Sequence, residues 1–272
     1  MNWVSILGHD IRRGLLRWRY LVGLALFALP CVELLRISCV QNIPATWLDY
    51  MIACFPGVSL HSAAERSVEI PVFWLPIMAG ANLMSLDYFF TDLSQEGQQI
   101  LLRCKSRQSW YLSKCVWNLL SSSLYFFIGI VTVSMFTFFS GSKFSLTNTP
   151  GLISLLFMEE DILPTAGLPA LFATALAPWA TICSLNMAQM AMALYIKPVY
   201  SFLGCMVVLL AAAYTSTPWC LGNGGMMLRS PQLIAAGIPA WKIWAVISVW
   251  LAGSILIGMV RIQKLDLLTV EV

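Results

Sequence analysis

Charge is what this chain has least of. Of its 272 residues 11% are charged and 59% are apolar, with a mean hydropathy of +0.77. Soluble domains carry roughly 25% charged residues, so there is too little charge here to solvate a globule of this size. Histidine is nearly absent: His9 and His61 are expected on opposite sides of a membrane and so cannot share a metal. The many serines have no plausible histidine partner on their own side, so an intramembrane enzyme is not expected. The chain has no GxxxxGK[ST], HExxH or GxSxG motif. "GNGG" at 222–225 is not followed by GK[ST], so it is not read as a phosphate loop. No span holds the regularly spaced arginines of a voltage sensor, and no K⁺-type filter signature is present. Eight cysteines form no CxxC; Cys54 and Cys220 both fall on the outer side and are the pair considered for a disulfide.

What is present is a series of long uncharged runs. Residues 70–86 give 17 in a row, Cys115–Ser142 give 28, Ile162–Ile196 give 35, Pro198–Leu228 give 31 and Ile243–Val260 give 18. Each supplies the ~20-residue helix a bilayer requires, with some tilt or interfacial extension. The expectation is an all-α integral membrane protein with one transmembrane domain over 1–272. Its six spans are placed at 20–40, 70–90, 114–139, 168–196, 199–217 and 241–261. No small-residue cleavage site follows the N-terminus, so no signal peptide is expected.

Lysine and arginine placement sets the expected orientation. Arg12, Arg13, Arg17, Arg19, Arg103, Lys105, Arg107, Lys114, Lys197, Arg261 and Lys264 fall on one side, against Arg36, Arg66, Lys143, Arg229 and Lys242 on the other. Both termini are therefore placed in the cytosol of a multi-pass protein of the cell membrane. Residues 1–19 carry Trp3, Leu7, Ile11, Leu15 and Trp18 at helical spacing, with Arg12 and Arg13 largely off that face. That pattern describes an amphipathic interfacial helix, with tryptophans at the headgroup level.

The longest polar stretch, 91–113, falls between spans two and three. Asp92 and Gln95 make a capping-box-like start, Gly97 interrupts, and "QQILLRCKSR" follows. Ser106 or Ser109 is placed to cap the next helix, while Trp110 and Lys114 are expected at the cytosolic interface. Inside the spans, Glu33 and Arg36 are spaced to pair on one helical face. Asn186 and Gln189 lie one turn apart; these four are candidates for a translocation path, set against the blander reading of helix packing.

Glu96–Gly97, "ILLR" at Ile100–Arg103, "SR" at Ser106–Arg107 and "WYLSK" at Trp110–Lys114 resemble the membrane subunits of ABC-2 type ABC transporters. Ser113 departs from the glycine common before the lysine in that family, and spans five and six carry no clear family signature. The resemblance implies six spans with cytosolic termini, an elbow helix at 1–19 and a cytosolic coupling helix within 91–113. It further implies a separate cytosolic ATPase, carrying the ATP and Mg, that docks around Asp92, Glu96, Gly97, Leu101, Arg103, Ser106 and Arg107. A second membrane subunit, identical or not, completes the path. The expected cargo is amphipathic, such as a peptide, antibiotic, lantibiotic or lipid-like molecule, moved in export or self-protection. No cofactor on this chain, no catalytic residue and no nucleic-acid partner are expected. A secondary transporter or channel, and a non-transporting membrane scaffold, are the alternatives.

Overall fold

The computed structural model describes residues 20–60, 71–94, 106–159 and 162–264, with no statement on the side chains of 87–94. It is all-helical, with three isolated β-bridges and no strand among the described residues. The helices are α1 (Tyr20–Gln41), α2 (Trp47–Cys54), α3 (Trp74–Ser94), α4 (Arg107–Phe139), α5 (Pro150–Phe157), α6 (Gly167–Met192), α7 (Pro198–Tyr214) and α8 (Ala240–Lys264). Four of them, α1, α4, α6 and α8, are long and apolar enough to cross a membrane; α3 over Trp74–Leu86 and α7 are shorter apolar helices.

The amphipathic helix expected at 1–19, with Trp3, Arg12, Arg13 and Trp18, lies outside the described residues, as do Glu96, Gly97, Leu101 and Arg103. The polar segment expected at 91–113 is shorter at both ends. Helix α3 continues to Ser94, and α4 begins at Arg107. Ser106 occupies the N-cap position of α4 in an extended conformation, without the capping hydrogen bond its side chain could make.

Helix α6 is the centre of the bundle. Fourteen of the 16 residues in Ala177–Met192 are buried, as expected of a helix enclosed on all sides rather than amphipathic. Pro178 lacks the N–H that would face Thr174. The turn before it, Phe172–Leu176, is wound as a π-helix, and Ala177 N–H bonds the carbonyl of Phe172 five residues back. Helix α4 lays a buried stripe against α6 and α1: Tyr111, Lys114, Asn118, Ser122, Tyr125, Gly129, Thr132. The spacing of three and four residues is that of one helical face.

One end of the bundle is capped by short elements. Thr46 and Asp49 form a reciprocal capping box at the start of α2: Asp49 N–H donates to Thr46 Oγ1 at 3.3 Å and Thr46 N–H to Asp49 Oδ2 at 2.9 Å. Asp49 Oδ1 also accepts from Thr149 N–H at 2.8 Å, so one buried carboxylate joins the N-termini of α2 and α5. Burial pushes the Asp49 carboxyl above its ordinary range, opposed by the hydrogen bonds from Thr149 and Thr46. Gly57 sits at φ +74°, and a Cβ there would overlap Met226. That close approach lets Met227 N–H and Leu228 N–H bond the carbonyls of Phe55 and Pro56 at 2.8 and 3.0 Å.

Arg229 is fully buried in this cap. Its guanidinium makes five hydrogen bonds of 2.6–3.0 Å, to the carbonyls of Val58, Ala212, Ala213 and Thr215 and to Asn223 Oδ1. All five acceptors are neutral. Three are carbonyls at the C-terminus of α7, where a helix leaves carbonyls unbonded and carries partial negative charge. Burial lowers the Arg229 pKa to about 10, which leaves the group charged at neutral pH.

The cysteine pairing considered from sequence is not the one the fold brings together. Cys54 lies against α1, its Sγ 4.0 Å from the carbonyl of Phe27, while Cys220 contacts Thr215 Oγ1 at 3.5 Å. Both thiols are free. Helix α2 buries its C-terminal end, Cys54 included, in the core.

Two outcomes test this cap. Arg229→Lys keeps the charge but has only three donors and no planar fork, so it is expected to lower the thermal midpoint in detergent almost as far as Arg229→Met does. For Asp49, the raised folded-state pKa means the folded state holds the proton more tightly than the unfolded one. Its contribution to stability is therefore greatest below the unfolded carboxylate value and falls as pH rises through the interval up to the folded value. A thermal-midpoint series across that acidic interval is expected to be flatter for Asp49→Asn than for the parent.

Candidate functional site

The polar residues inside the bundle converge where α3, α4 and α6 meet. Helix α3 contributes Asn82 and Ser85, α4 contributes Asn118 and Ser122, and α6 contributes Asn186 and Gln189, all buried. Their hydrogen bonds run mostly between helices. Asn118 Nδ2 donates to the carbonyl of Asn186 at 2.9 Å. Asn186 Nδ2 donates to Ser122 Oγ at 2.8 Å and to the carbonyl of Ala81 at 3.3 Å. Gln189 Nε2 donates to the carbonyl of Asn82 at 3.1 Å, and Asn82 Nδ2 returns to Met78 within α3 at 2.9 Å.

The orientation of these amides follows from their acceptors. Each NH₂ group faces a backbone carbonyl, which only a donor can face, so rotating any of the four amides by half a turn would oppose two oxygens. Their oxygens are left over: Asn82 Oδ1, Asn118 Oδ1, Asn186 Oδ1 and Gln189 Oε1 are buried with no protein partner. Hydrogen bonds between membrane helices contribute about 0.6 kcal/mol each, whereas a buried polar atom left unpaired costs about 1–3 kcal/mol. The unpaired oxygens therefore outweigh the bonds that the same side chains make.

Asn186 and Gln189 were expected from sequence to lie together, and the fold adds Asn82, Asn118 and Ser122 to them. Asn118 and Ser122 could have been found from the small and polar residues spaced three and four apart in α4. Asn82 is the one amide in "IPVFWLPIMAGANLMSL", and an amide in a span is itself a signal. Glu33 and Arg36 do not join this seam. They pair with each other through Arg36 Nη2–Glu33 Oε1 at 2.5 Å and Arg36 Nε–Glu33 Oε2 at 3.1 Å, with the Arg36 side chain 66% exposed.

At the opposite end of the bundle from the cap, α4, α6 and α8 meet. Arg107 Nη1 donates to the carbonyl of Gln263 at 3.3 Å, and Arg261 Nε to that of Leu194 at 3.4 Å. The Arg261 guanidinium also lies 4.8 Å from the Tyr195 ring centroid. Trp110 and Lys114 are not at the surface, where an aromatic belt and an interfacial lysine were expected. Both are fully buried, with Lys114 Nζ 5.3 Å from the Trp110 ring centroid. The cause is helical phase: Trp110, Tyr111 and Lys114 lie on the stripe that α4 turns inward against Met187, Met190 and Ile262. Gly258 of α8 makes room for Tyr111, since a Cβ there would overlap the phenol.

Asp92 lies in the last turn of α3 by its backbone. Among the described residues no three His, Cys, Asp or Glu side chains gather as a metal site.

The seam makes a quantitative prediction. Asn186→Leu removes two modest hydrogen bonds together with an unpaired oxygen, so it is expected to change unfolding free energy by no more than about 1 kcal/mol. Asn186→Asp places a carboxylate against the carbonyl of Ala81 and is expected to destabilise by several-fold more. Thermal and denaturant unfolding of the two variants in detergent makes the comparison. Set against models of known families, characterised proteins and solved structures, the chain matches none.

Proposed function

We propose that this chain is the membrane-spanning subunit of an ATP-driven ABC exporter in the cell membrane, with six spans and cytosolic termini. The four long apolar helices, with α3 and α7 as the remaining two spans, support the count. A separate cytosolic ATPase, holding ATP and Mg, docks on the connection between α3 and α4 around Asp92, Glu96, Gly97, Leu101, Arg103, Ser106 and Arg107. The amphipathic helix at 1–19 lies along the headgroups, and a second membrane subunit faces this one across the path. The cargo is an amphipathic peptide, antibiotic or lipid-like molecule.

The observation that carries this reading is mechanical. Helix α4 runs without a break for 33 residues from Arg107, at the edge of that connection, to Phe139 in the cap. Its first turns are held by the Arg107–Gln263 hydrogen bond and by the buried Trp110, Tyr111 and Lys114. A push on the connection is thereby delivered to α4 as a whole and to α8 beside it, rather than absorbed in a hinge. In the same reading the partner must supply all nucleotide chemistry, because the chain has no nucleotide-binding motif of its own.

The unpaired amide oxygens of the α3–α4–α6 seam favour a second reading, a secondary transporter or channel whose path runs along that seam. Co-expression with a candidate ABC ATPase, sought in the reading frames next to the one that encodes this chain, separates the two. The exporter reading expects a stable complex whose ATP hydrolysis is stimulated by the membrane subunit. Glu96→Arg and Arg103→Glu are each expected to lower both by an order of magnitude or more, as loss of about 1.4 kcal/mol of docking energy does per factor of ten. Binding that survives both reversals overturns the docking assignment. Binding without stimulated hydrolysis favours a scaffold, and gradient-driven uptake by the chain alone in liposomes favours the secondary transporter.

A further inference from the structure

Two of the four amides with an unpaired oxygen line the same cavity. Asn118 and Gln189 line a small cavity of about 10 Å³ together with Ser85, Leu86, Trp117, Met190 and Ala193. Asn118 is 1% exposed and Gln189 is 3% exposed, and neither Asn118 Oδ1 nor Gln189 Oε1 has a protein partner. The Ser85 hydroxyl does not serve them, because it donates to the carbonyl of Asn82 at 3.2 Å. Among the described residues that line it, the site offers two amide acceptors, on helices α4 and α6, and room for one small guest.

We propose that this cavity holds one ordered water that donates one hydrogen to Asn118 Oδ1 and the other to Gln189 Oε1. A volume of about 10 Å³ is at the threshold for a single water, and a buried water needs two to four polar partners. Water has two donors for the two acceptors, so one molecule satisfies both. A metal cation fits the chemistry less well. No carboxylate is among the described residues that line the cavity, and an unpaired charge at membrane depth is costly. Two amide oxygens are also far fewer ligands than a hard cation takes.

The water is then a structural component of the α4–α6 contact. The two helices meet there through a molecule that can exchange, while their neighbouring contact, Asn118 to the carbonyl of Asn186, is direct. The inference rests on the geometry of the seam and holds whether or not the chain transports anything.

The test is X-ray radiolysis of the full chain in lipid nanodiscs, after rapid mixing into H₂¹⁸O. Hydroxyl radicals form from bound water, so Met190 beside the cavity is expected to gain ¹⁸O, while Met51, buried in the cap, does not. Labelling of Met190 no greater than that of Met51 overturns the proposal. In Asn118→Leu/Gln189→Leu the Met190 label is expected to be lost, and its persistence overturns the assignment of these two acceptors. If the double variant does not fold, Gln189→Leu alone is read in the same way, with reduced labelling expected. Replacing sodium and potassium by N-methylglucamine is expected to leave both the label and the thermal midpoint unchanged. A drop in the midpoint that either ion restores would assign the cavity to a cation instead.

Discussion

Arg229 sets the terms on which the cap exists. A full charge buried without a carboxylate is ordinarily unfavourable, and here it is made tolerable by five neutral acceptors around one guanidinium. The same bonds answer the opposite problem, which is that α7 ends with carbonyls that have no helical donor. The acceptors come from three separate stretches of chain, at Val58, at 212–215 and at Asn223. Satisfying one guanidinium therefore fixes the relative positions of the α2–α3 connection, the end of α7 and the turns that follow. The Gly57–Met226 contact and the bonds of Met227 and Leu228 to Phe55 and Pro56 extend that arrangement.

The interior follows a different rule. Where the cap uses buried charge, the seam between α3, α4 and α6 uses uncharged amides, which can be hydrated or parted at much smaller cost. Neutral hydrogen bonds of about 0.6 kcal/mol hold helices in register without locking them. The end near Arg107 combines the two, with direct bonds from arginine to helix carbonyls around an apolar cluster of Trp110, Tyr111, Met187 and Ile262. The bundle is thus firmly fixed at its two ends and least firmly fixed between them.

Much of this was legible in the sequence, for a physical reason: long uncharged runs have few alternatives to helices. The limits of α1 and α8 were read to within a few residues, and the Glu33–Arg36 pair followed from its spacing. Where reading failed, the missing information was helical phase or long-range contact. Trp110 and Lys114 have the composition of an interface, yet their phase in α4 turns them inward. Arg229 reads as an ordinary loop arginine, because its acceptors lie up to 171 residues away in sequence. Asn82 and Asn118 gain meaning only once α3 and α4 are placed against α6. The cysteine pair was considered from sidedness alone, which carries no information on how close two thiols lie.

The π turn at Phe172–Leu176 has a consequence for the seam that begins at Asn186. A π turn accommodates an added residue in an α-helix, and each residue rotates everything beyond it by about 100°. Asn186 and Gln189 therefore face α3 and α4 in a phase set partly by that wide turn and by the proline that follows it. With an unbroken α-helical ladder the same sequence would swing both amides about a quarter-turn away, toward a different neighbour. The bulge is in effect a frameshift in three dimensions, and it decides which residues of the most buried helix can meet.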